Sequence, residues 1–440
     1  MASVIAPSRW KRIVDAAAPM RVGTVKAVRG LSIQVSPMHL PVGDLVEIHG
    51  DGAVLWAEVV SVSQEGLYCM PLGSLNGLKA GARVYSLGGP LSVKVGHELL
   101  GRVLDGLGHP IDGKGAIDAF DSVHVSARAV PVLERQRISE PLSLGVKVVD
   151  TLTTVGRGQR IGLFAGSGVG KSSLLSMIAR GADTDLAVIA LVGERGREVR
   201  EFLEDDLGDA GLERSVVVVA TSDDPAVVRI RAAHTATRIA EYFRDQGENV
   251  VLMMDSLTRF AMAQREVGLS IGEPPATRGY PPSTFAMLAQ LLERAGMGRE
   301  GSVTGIYTVL VDGDDYNEPI ADSARSILDG HIVLDRSLAV NGHFPSVDPV
   351  ASISRVASHV TTPEQQEMAR ILRSVLAARR QAQDLLDVGA YVAGSNPKVD
   401  AAVAHAQEIE DFLCQPLTEA VPASCAWDQL HTLVCALGVS

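Results

Sequence analysis

Aromatic side chains are scarce in this chain, 4% of 440 residues, and the first 95 residues have no paired aromatics of the kind that stack single-stranded bases. Cysteine is scarcer. Cys69, Cys414, Cys425 and Cys435 show no C-x-x-C spacing, which excludes a zinc ribbon and a disulfide framework and leaves four reduced packing residues as the expectation. No apolar run approaches the ~18–20 residues needed to span a bilayer. The opening stretch from Met1 to Met20 carries Trp10-Lys11-Arg12 and Asp15 where a secretory signal would carry an apolar core. Positive charge is in deficit: 40 Lys and Arg stand against 52 Asp and Glu, a net charge of −12, which speaks against a general nucleic-acid binder. Internal repeats and low-complexity segments are absent as well. What remains is the profile of a cytosolic enzyme with two to four domains and ample core.

The most informative stretch is Phe164-Ala165-Gly166-Ser167-Gly168-Val169-Gly170-Lys171-Ser172-Ser173. The apolar run Ile161–Phe164 enters it like the end of a buried strand, and the helix-forming run from Ser172 to Ala179 leaves it. Between them lies the P-loop pattern G-x-x-x-x-G-K-S/T, with Ala165 in the first glycine place. Glycines at 166, 168 and 170 let backbone N–H groups turn inward around phosphate oxygens, where a Cβ would crowd them. The N-terminus of the following helix adds partial positive charge. In this pattern Lys171 reaches the β- and γ-phosphates and the Ser172 hydroxyl takes a place on Mg²⁺, so ATP and Mg²⁺ are the expected cofactors.

Around this loop the chain divides into stretches of different pattern. Residues 1–18 read as a partner-binding segment, with Ile5, Trp10, Ile13 and Val14 on a short helix, or as a loosely docked tail. Residues 19–95 hold short alternating runs at Leu31–Ser36, Asp44–Ile48, Ala57–Val62 and Leu67–Leu72, divided by turn signals, which predict a small β-barrel. Residues 1–95 carry nine Lys/Arg and six Asp/Glu, a mild balance that suits a structural collar better than an oligonucleotide groove. Residues 96–150 are rich in Gly and Pro turns and read as a connecting lead-in with few regular elements. Apolar runs at Ile161–Phe164, Ala187–Val192, Val216–Ala220, Val250–Met254 and Tyr307–Val311 then alternate with helical stretches such as Pro225–Gln246 and Pro282–Ala295. That alternation predicts an α/β core over residues 96–360, a parallel sheet covered on both faces with nucleotide at the strands' carboxyl ends. After Thr361 the strands stop. The capping box Thr362-Pro363-Glu364-Gln365 opens a helix to about Val388, and Asp400–Cys414 and Trp427–Leu437 complete a helical domain over residues 361–440.

Two acids stand out. Val250–Asp255 is an apolar strand ending in a carboxylate, the Walker-B form that positions Mg²⁺. The run Ala187–Val192 leads into Gly193-Glu194-Arg195-Gly196-Arg197-Glu198. An acid just past that strand could deprotonate an attacking water, or it could be an ordinary helix-start glutamate favoured by the dipole. Glu198 and Glu201 sit further into the expected helix and suit the second role. Asp312-Gly313-Asp314-Asp315 lacks the spacing of a calcium loop and reads as a solvated loop.

Phe164–Ser173, Leu191–Val199, MDSLTRFAMAQRE (Met254–Glu266), IGEPPATRGYPPS (Ile271–Ser283), PIADSARSILDGHIV (Pro319–Val333) and ASISR (Ala351–Arg355) together resemble the flagellar and type III secretion ATPases. These are relatives of the catalytic subunit of rotary ATP synthases. The flagellar branch looks slightly closer than the virulence branch. The resemblance implies a RecA-like P-loop core with an N-terminal small β-barrel and a C-terminal helical domain, assembled as a homohexamer with ATP between subunits. By it, Ala165 to Ser173 cradle the nucleotide, Ser172 and Asp255 hold Mg²⁺, and Glu194 is the general base. Arg195 and Arg259 fall among the basic residues around the γ-phosphate, and Arg355 matches the finger that crosses from a neighbouring subunit. Phe344 falls where an aromatic, often Tyr, lies against adenine; an ordinary core aromatic is the other reading. Partners implied are a peripheral stator protein, a coiled-coil central stalk protein, export-gate proteins and substrate–chaperone complexes. The implied place is the cytoplasm, at the cytosolic face of an inner-membrane export apparatus, with only peripheral contact to the membrane.

The expected function is ATP hydrolysis by a ring that assists flagellar protein export. A virulence-type secretion ATPase is the alternative. A hexameric RNA helicase of the transcription-terminator kind also joins a barrel to this core, but the acidic balance argues against it. A nucleotide-bound subunit without turnover is contradicted by Glu194 together with Arg355.

Overall fold

The computed structural model describes residues 21–52, 54–119, 121–311 and 318–439; the 1–18 segment and the Asp312–Asp315 loop lie outside them. The chain forms two compact units. The smaller contains the described residues up to Leu91 together with Ser270–Glu273. In it six antiparallel strands close into a barrel, in the order Val22–Arg29, Ser32–Val35, Gly66–Pro71, Val54–Ser63, Asp44–His49 and Arg83–Pro90. Ile33, Val35, Val46, Ile48, Ala57, Val59 and Val84 are fully buried inside it, the inward half of a period-two pattern. The sequence pattern marks four of the six strands. Val22–Arg29 and Arg83–Pro90 escape it because their buried positions are few and Gly interrupts both.

The larger unit takes the rest, beginning at Ser92. Its sheet has nine strands, in the order Ile353–Ser354, Gly330–Val333, Arg160–Ala165, Ser302–Leu310, Asn249–Asp255, Leu186–Glu194, Ser215–Thr221 and Arg102–Asp105, with Gly296–Met297 pairing on the side of Ser302–Leu310. All of these pairings are parallel except those of Ile353–Ser354 and Gly296–Met297. Arg102–Asp105 corrects the reading of residues 96–150 as a connector. Four residues are too few to show a period, yet they form the edge strand and pair with Val216–Val219. Burial on both faces explains the unbroken apolar runs. Ile161, Leu163, Ile189, Leu191, Val251 and Met253 share a core with Leu174 and Ile178 of the helix Lys171–Gly181. The helix Ala226–Asp245 packs on the strands Leu186–Glu194, Ser215–Thr221 and Asn249–Asp255.

The helical end belongs to the same hydrophobic core, through Leu372, Val375, Ile409, Phe412, Leu430 and Leu433. The Thr362–Gln365 capping box forms, but its helix ends at Gln381 rather than near Val388. The Ala382 N–H is shared between the carbonyls of Ala378 and Arg379, which tightens the turn before Gln383–Asp387. The run expected from Asp400 to Cys414 is two helices, Pro397–Ala404 and Ala406–Leu413, and the last helix is Ala423–Leu437. Buried Gln415 ties this end to the core. Its Oε1 accepts from the Lys147 N–H at 2.9 Å, its Nε2 donates to the Gly145 carbonyl at 2.8 Å, and its own N–H donates to the Phe344 carbonyl at 2.9 Å. Cys69 is buried in the barrel, whereas Cys425 and Cys435 are exposed and so are not the packing residues expected. No helix among the described residues is long and apolar enough to cross a membrane.

One buried ion pair braces the sheet's helical cover. Arg294 donates from Nε and Nη2 to the two carboxylate oxygens of Glu241 at 2.8 Å each, with side chains 5% and 1% exposed. Removing one partner of such a pair strands a charge in the interior. Arg294→Ala is therefore expected to destabilise the protein by about 3 kcal/mol, the low end of that range because Arg238 still faces Glu241. Arg299→Ala, which opens a pair 75% and 41% exposed, is expected to cost under about 1 kcal/mol. Chemical denaturation of both variants checks the contrast.

Candidate active site

The carboxyl ends of four neighbouring strands, at Ala165, Leu310, Asp255 and Glu194, open onto one cavity of about 560 Å³. The strand Arg160–Ala165 is buried from Ile161 onward and delivers the chain into Gly166–Gly170, which turns into the helix Lys171–Gly181. Gly168 has φ 74° and Gly170 φ 87°, values that a side chain would strain. A Cβ at Gly168 would meet nothing within 4 Å, so there it is the backbone conformation, not space, that calls for glycine. Every residue from Ala165 to Ser173 lines the cavity.

Three charged groups meet inside it. Lys171 Nζ lies 2.7 Å from Asp255 Oδ1 and 3.6 Å from Glu194 Oε1. The Thr308 hydroxyl, from the adjacent strand, donates to the same Asp255 oxygen at 2.7 Å and fixes its side chain. Burial acts to depress the Lys171 ammonium, but Asp255 and Glu194 outweigh it and hold the group above the ordinary lysine value. Glu194 is pushed up to about 7 by burial and by the Asp255 charge, against the pull of Lys171 and Arg259. Its Oε1 is buried and has no hydrogen-bond partner among the described residues. Glu194 is the last residue of its strand; Arg195 stands at the N-cap of Gly196–Glu201. The helix-start reading of this glutamate is thus set aside.

Glu198 sits in the first turn of Gly196–Glu201, as expected of a helix-start glutamate, and does more besides. It lines the cavity beside Glu194 and pairs with Arg195 at 2.9 Å. Helical geometry turns it back toward the strand end, a detail that spacing alone left open. Arg195 and Arg259 both line the cavity. The Arg259 stem lies against Gly193 so closely that a Cβ there would come within 2.9 Å of Arg259 Cβ.

Two expected residues stand outside the cavity. Phe344 is 36% exposed, and its ring lies beside Gly170, where an added Cβ would be 3.3 Å away. Ser346, two residues on, donates to the Val169 carbonyl at 2.5 Å, so this segment buttresses the glycine loop from its side. Arg355 is exposed. Its N–H donates to the Asp329 carbonyl, and the Asp329 N–H to the Arg160 carbonyl, at the start of the strand whose far end carries the loop. Five residues of strand separate those ends by roughly 17 Å, more than an arginine side chain spans. Arg355 cannot serve the cavity of its own chain.

The oxygen donors of Ser172 and Asp255, at the mouth of a cavity with a glycine cradle and an orphaned carboxylate oxygen, are the hard donors Mg²⁺ takes alongside phosphates. Sequence reading did not find Thr308. Its only signal is one hydroxyl inside the apolar run beside the Walker-B strand.

A parallel sheet with a glycine cradle, an internal lysine and two strand-end acids defines a P-loop nucleoside-triphosphatase. Residues 145–354 match the ATP synthase alpha/beta family nucleotide-binding domain, and residues 361–432 match the T3SS EscN ATPase C-terminal domain. The chain is 51% identical to the flagellum-specific ATP synthase of Bacillus subtilis, covering 91% of this chain and 92% of that one. It is 49% identical to the type 3 secretion system ATPase of Xanthomonas euvesicatoria over 92% of each. The assembled ATPase EscN of enteropathogenic E. coli, in complex with its central stalk EscO, superposes with a TM-score of 0.87 at 42% identity, over 94% of this chain and all of that one. The chain belongs to the flagellar and type III secretion ATPase family, and the RNA-helicase alternative falls away.

The raised Glu194 has a measurable consequence in the free protein. A carboxyl held above its ordinary value binds its proton more tightly folded than unfolded, so its contribution to stability is full below about pH 4.5 and is lost as pH rises through about 7. Glu194→Gln is expected to gain thermal stability over wild type at pH 8 and to gain little or none at pH 4.5. Melting curves of nucleotide-free protein at both pH values check it.

Proposed function

We propose that this ATPase works as a homohexameric ring at the cytosolic face of a flagellar export apparatus. Its hydrolysis of ATP there assists the unloading and feeding of export substrates. The observation that carries the ring is the position of Arg355, on the same sheet as the cradle but at its opposite end. A charge-neutralising guanidinium placed there is useful only to a neighbouring copy. The assembled state named for the EscN relative supports the same reading.

In this mechanism the glycine loop and Lys171 hold the phosphates. Lys171 turns from its present partner Asp255 toward the β- and γ-phosphates. Ser172 and Asp255 hold Mg²⁺, which supplies charge neutralisation across the phosphates when bound. Glu194 accepts the proton of an attacking water through the oxygen that now has no hydrogen-bond partner. Its pKa near 7 suits a base that must take up and release a proton at neutral pH. Arg259 and Arg195 add positive charge around the γ-phosphate, and Arg355 of the next subunit stabilises the charge of the transition state. Phe344 presents a ring face for adenine without the hydroxyl of a tyrosine.

By family, the ring's partners are a coiled-coil central stalk, a peripheral stator at the N-terminal segment, export-gate proteins and substrate–chaperone complexes. The stalk is supported by the EscN–EscO complex. The virulence-type reading is kept as the second one, because one such relative matches at 49% where a flagellar one matches at 51%.

Turnover of Mg·ATP against protein concentration tests the reading. The rate per subunit is expected to rise as rings form. Glu194→Gln should lose about 10²–10⁴ of the rate and Arg355→Ala about 10³–10⁵. Mixing the two inactive variants should restore part of the activity, since some interfaces then pair an intact Glu194 with an intact Arg355. Concentration-independent turnover with Arg355→Ala fully active would overturn the shared site.

A further inference from the structure

A second cluster of ligand-type side chains lies apart from the cavity, where the helical end meets the loop before Phe344. It comprises His343, Glu410 and Cys414, whose nitrogen, carboxylate and sulfur atoms all fall within 4.8 Å of one another. His343 Nδ1 is 2.7 Å from Glu410 Oε1, and the Cys414 thiol donates to that same oxygen at 3.5 Å. Among the described residues it is the one group of this kind.

We propose that His343, Glu410 and Cys414 form a binding site for a divalent transition metal of the zinc class. Glu410 lies in the helix Ala406–Leu413 and Cys414 is its C-cap, one turn further on. The Cys414 N–H donates to the Glu410 carbonyl at 2.9 Å, which fixes their relative position. The third ligand comes from a distant segment that is itself held. The His343 N–H bonds the Leu338 carbonyl at 3.0 Å, and the Phe344 carbonyl accepts from Gln415, next to Cys414. Two ligands one helical turn apart and a third from another element make a preorganised facial set.

Chemistry selects the ion. A thiolate and an imidazole favour zinc, cobalt or copper over magnesium or calcium, which take oxygen donors. Zinc bonds of about 2.0–2.3 Å at tetrahedral angles put ligand atoms about 3–4 Å apart, so the longest separation here closes by a small side-chain rotation. Glu410, half exposed, has the freedom to make it and leaves an entry path, while His343 at 5% exposure is anchored. Three protein ligands leave a fourth position for water. The metal would tie the end of a C-terminal helix to the strand-linking loop of the core.

Cobalt(II) is the probe, added to the full-length, metal-free chain under a phosphine reductant. Thiolate ligation gives a charge-transfer absorption in the near ultraviolet, which carbonyl or carboxylate ligation does not. The expected result is saturation at about one equivalent per chain, displacement by Zn²⁺, and a rise in melting temperature with Zn²⁺. Cys414→Ser should abolish the thiolate absorption and the thermal shift, while Cys425→Ser and Cys435→Ser should keep both. His343→Gln should likewise lose binding. If that buried substitution fails to fold, exposed Glu410→Gln provides the second ligand test, with weakened binding expected. A wild-type chain without thiolate absorption, or absorption that survives Cys414→Ser, would overturn the site.

Discussion

One ammonium group between two carboxylates holds the nucleotide end of the sheet together. Lys171 comes from the loop after one strand, Asp255 and Glu194 from the ends of two others, and their attraction crosses strands that share no turn. Both acids are nearly out of solvent, and burial would penalise the lysine's charge without them. The cluster has more negative than positive charge at its centre. That imbalance appears as the raised Glu194 carboxyl.

The supporting shell explains why these groups meet. Parallel register sets Ala165 level with Leu310 and Leu191 level with Asp255, so the functional residues emerge side by side. Thr308 then fixes the rotation of Asp255, and Thr258 bonds the Leu310 N–H at the rim. None of these neighbours carries a charge. Their work is positional, done by one hydroxyl in the sheet and one on the helix Leu257–Ser270.

How much of this could be read beforehand varies with the physics of each element. Arg160–Ala165, Leu186–Glu194 and Asn249–Asp255 announced themselves because burial on both faces demands unbroken apolar runs. The glycine loop did so because positive φ restricts what can stand at 168 and 170. Arg102–Asp105 stayed hidden, being an edge strand of four residues whose place is dictated by a partner over a hundred residues away. Thr308 and Glu198 were illegible for a related reason: their importance comes from a through-space neighbour, and a hydroxyl or a helix glutamate has many commoner uses. Arg355 was an anonymous arginine until a family resemblance singled it out, and only the strand order tells which end of the sheet it occupies. The break at Ala382 depended on one shared hydrogen bond, which no periodicity records.

Gln415 carries a mechanical implication. Buried Gln415 grips the backbone at Gly145 and Lys147, ahead of the cradle strand, through its side-chain amide, and at Phe344, beside the glycine loop, through its own N–H. The helical end is thus clamped at points that flank the phosphate cradle, with no slack linker between them. Torque applied to those helices by anything they grip would arrive as a paired displacement of the cradle's two flanks, in the manner of a crank rather than a tether.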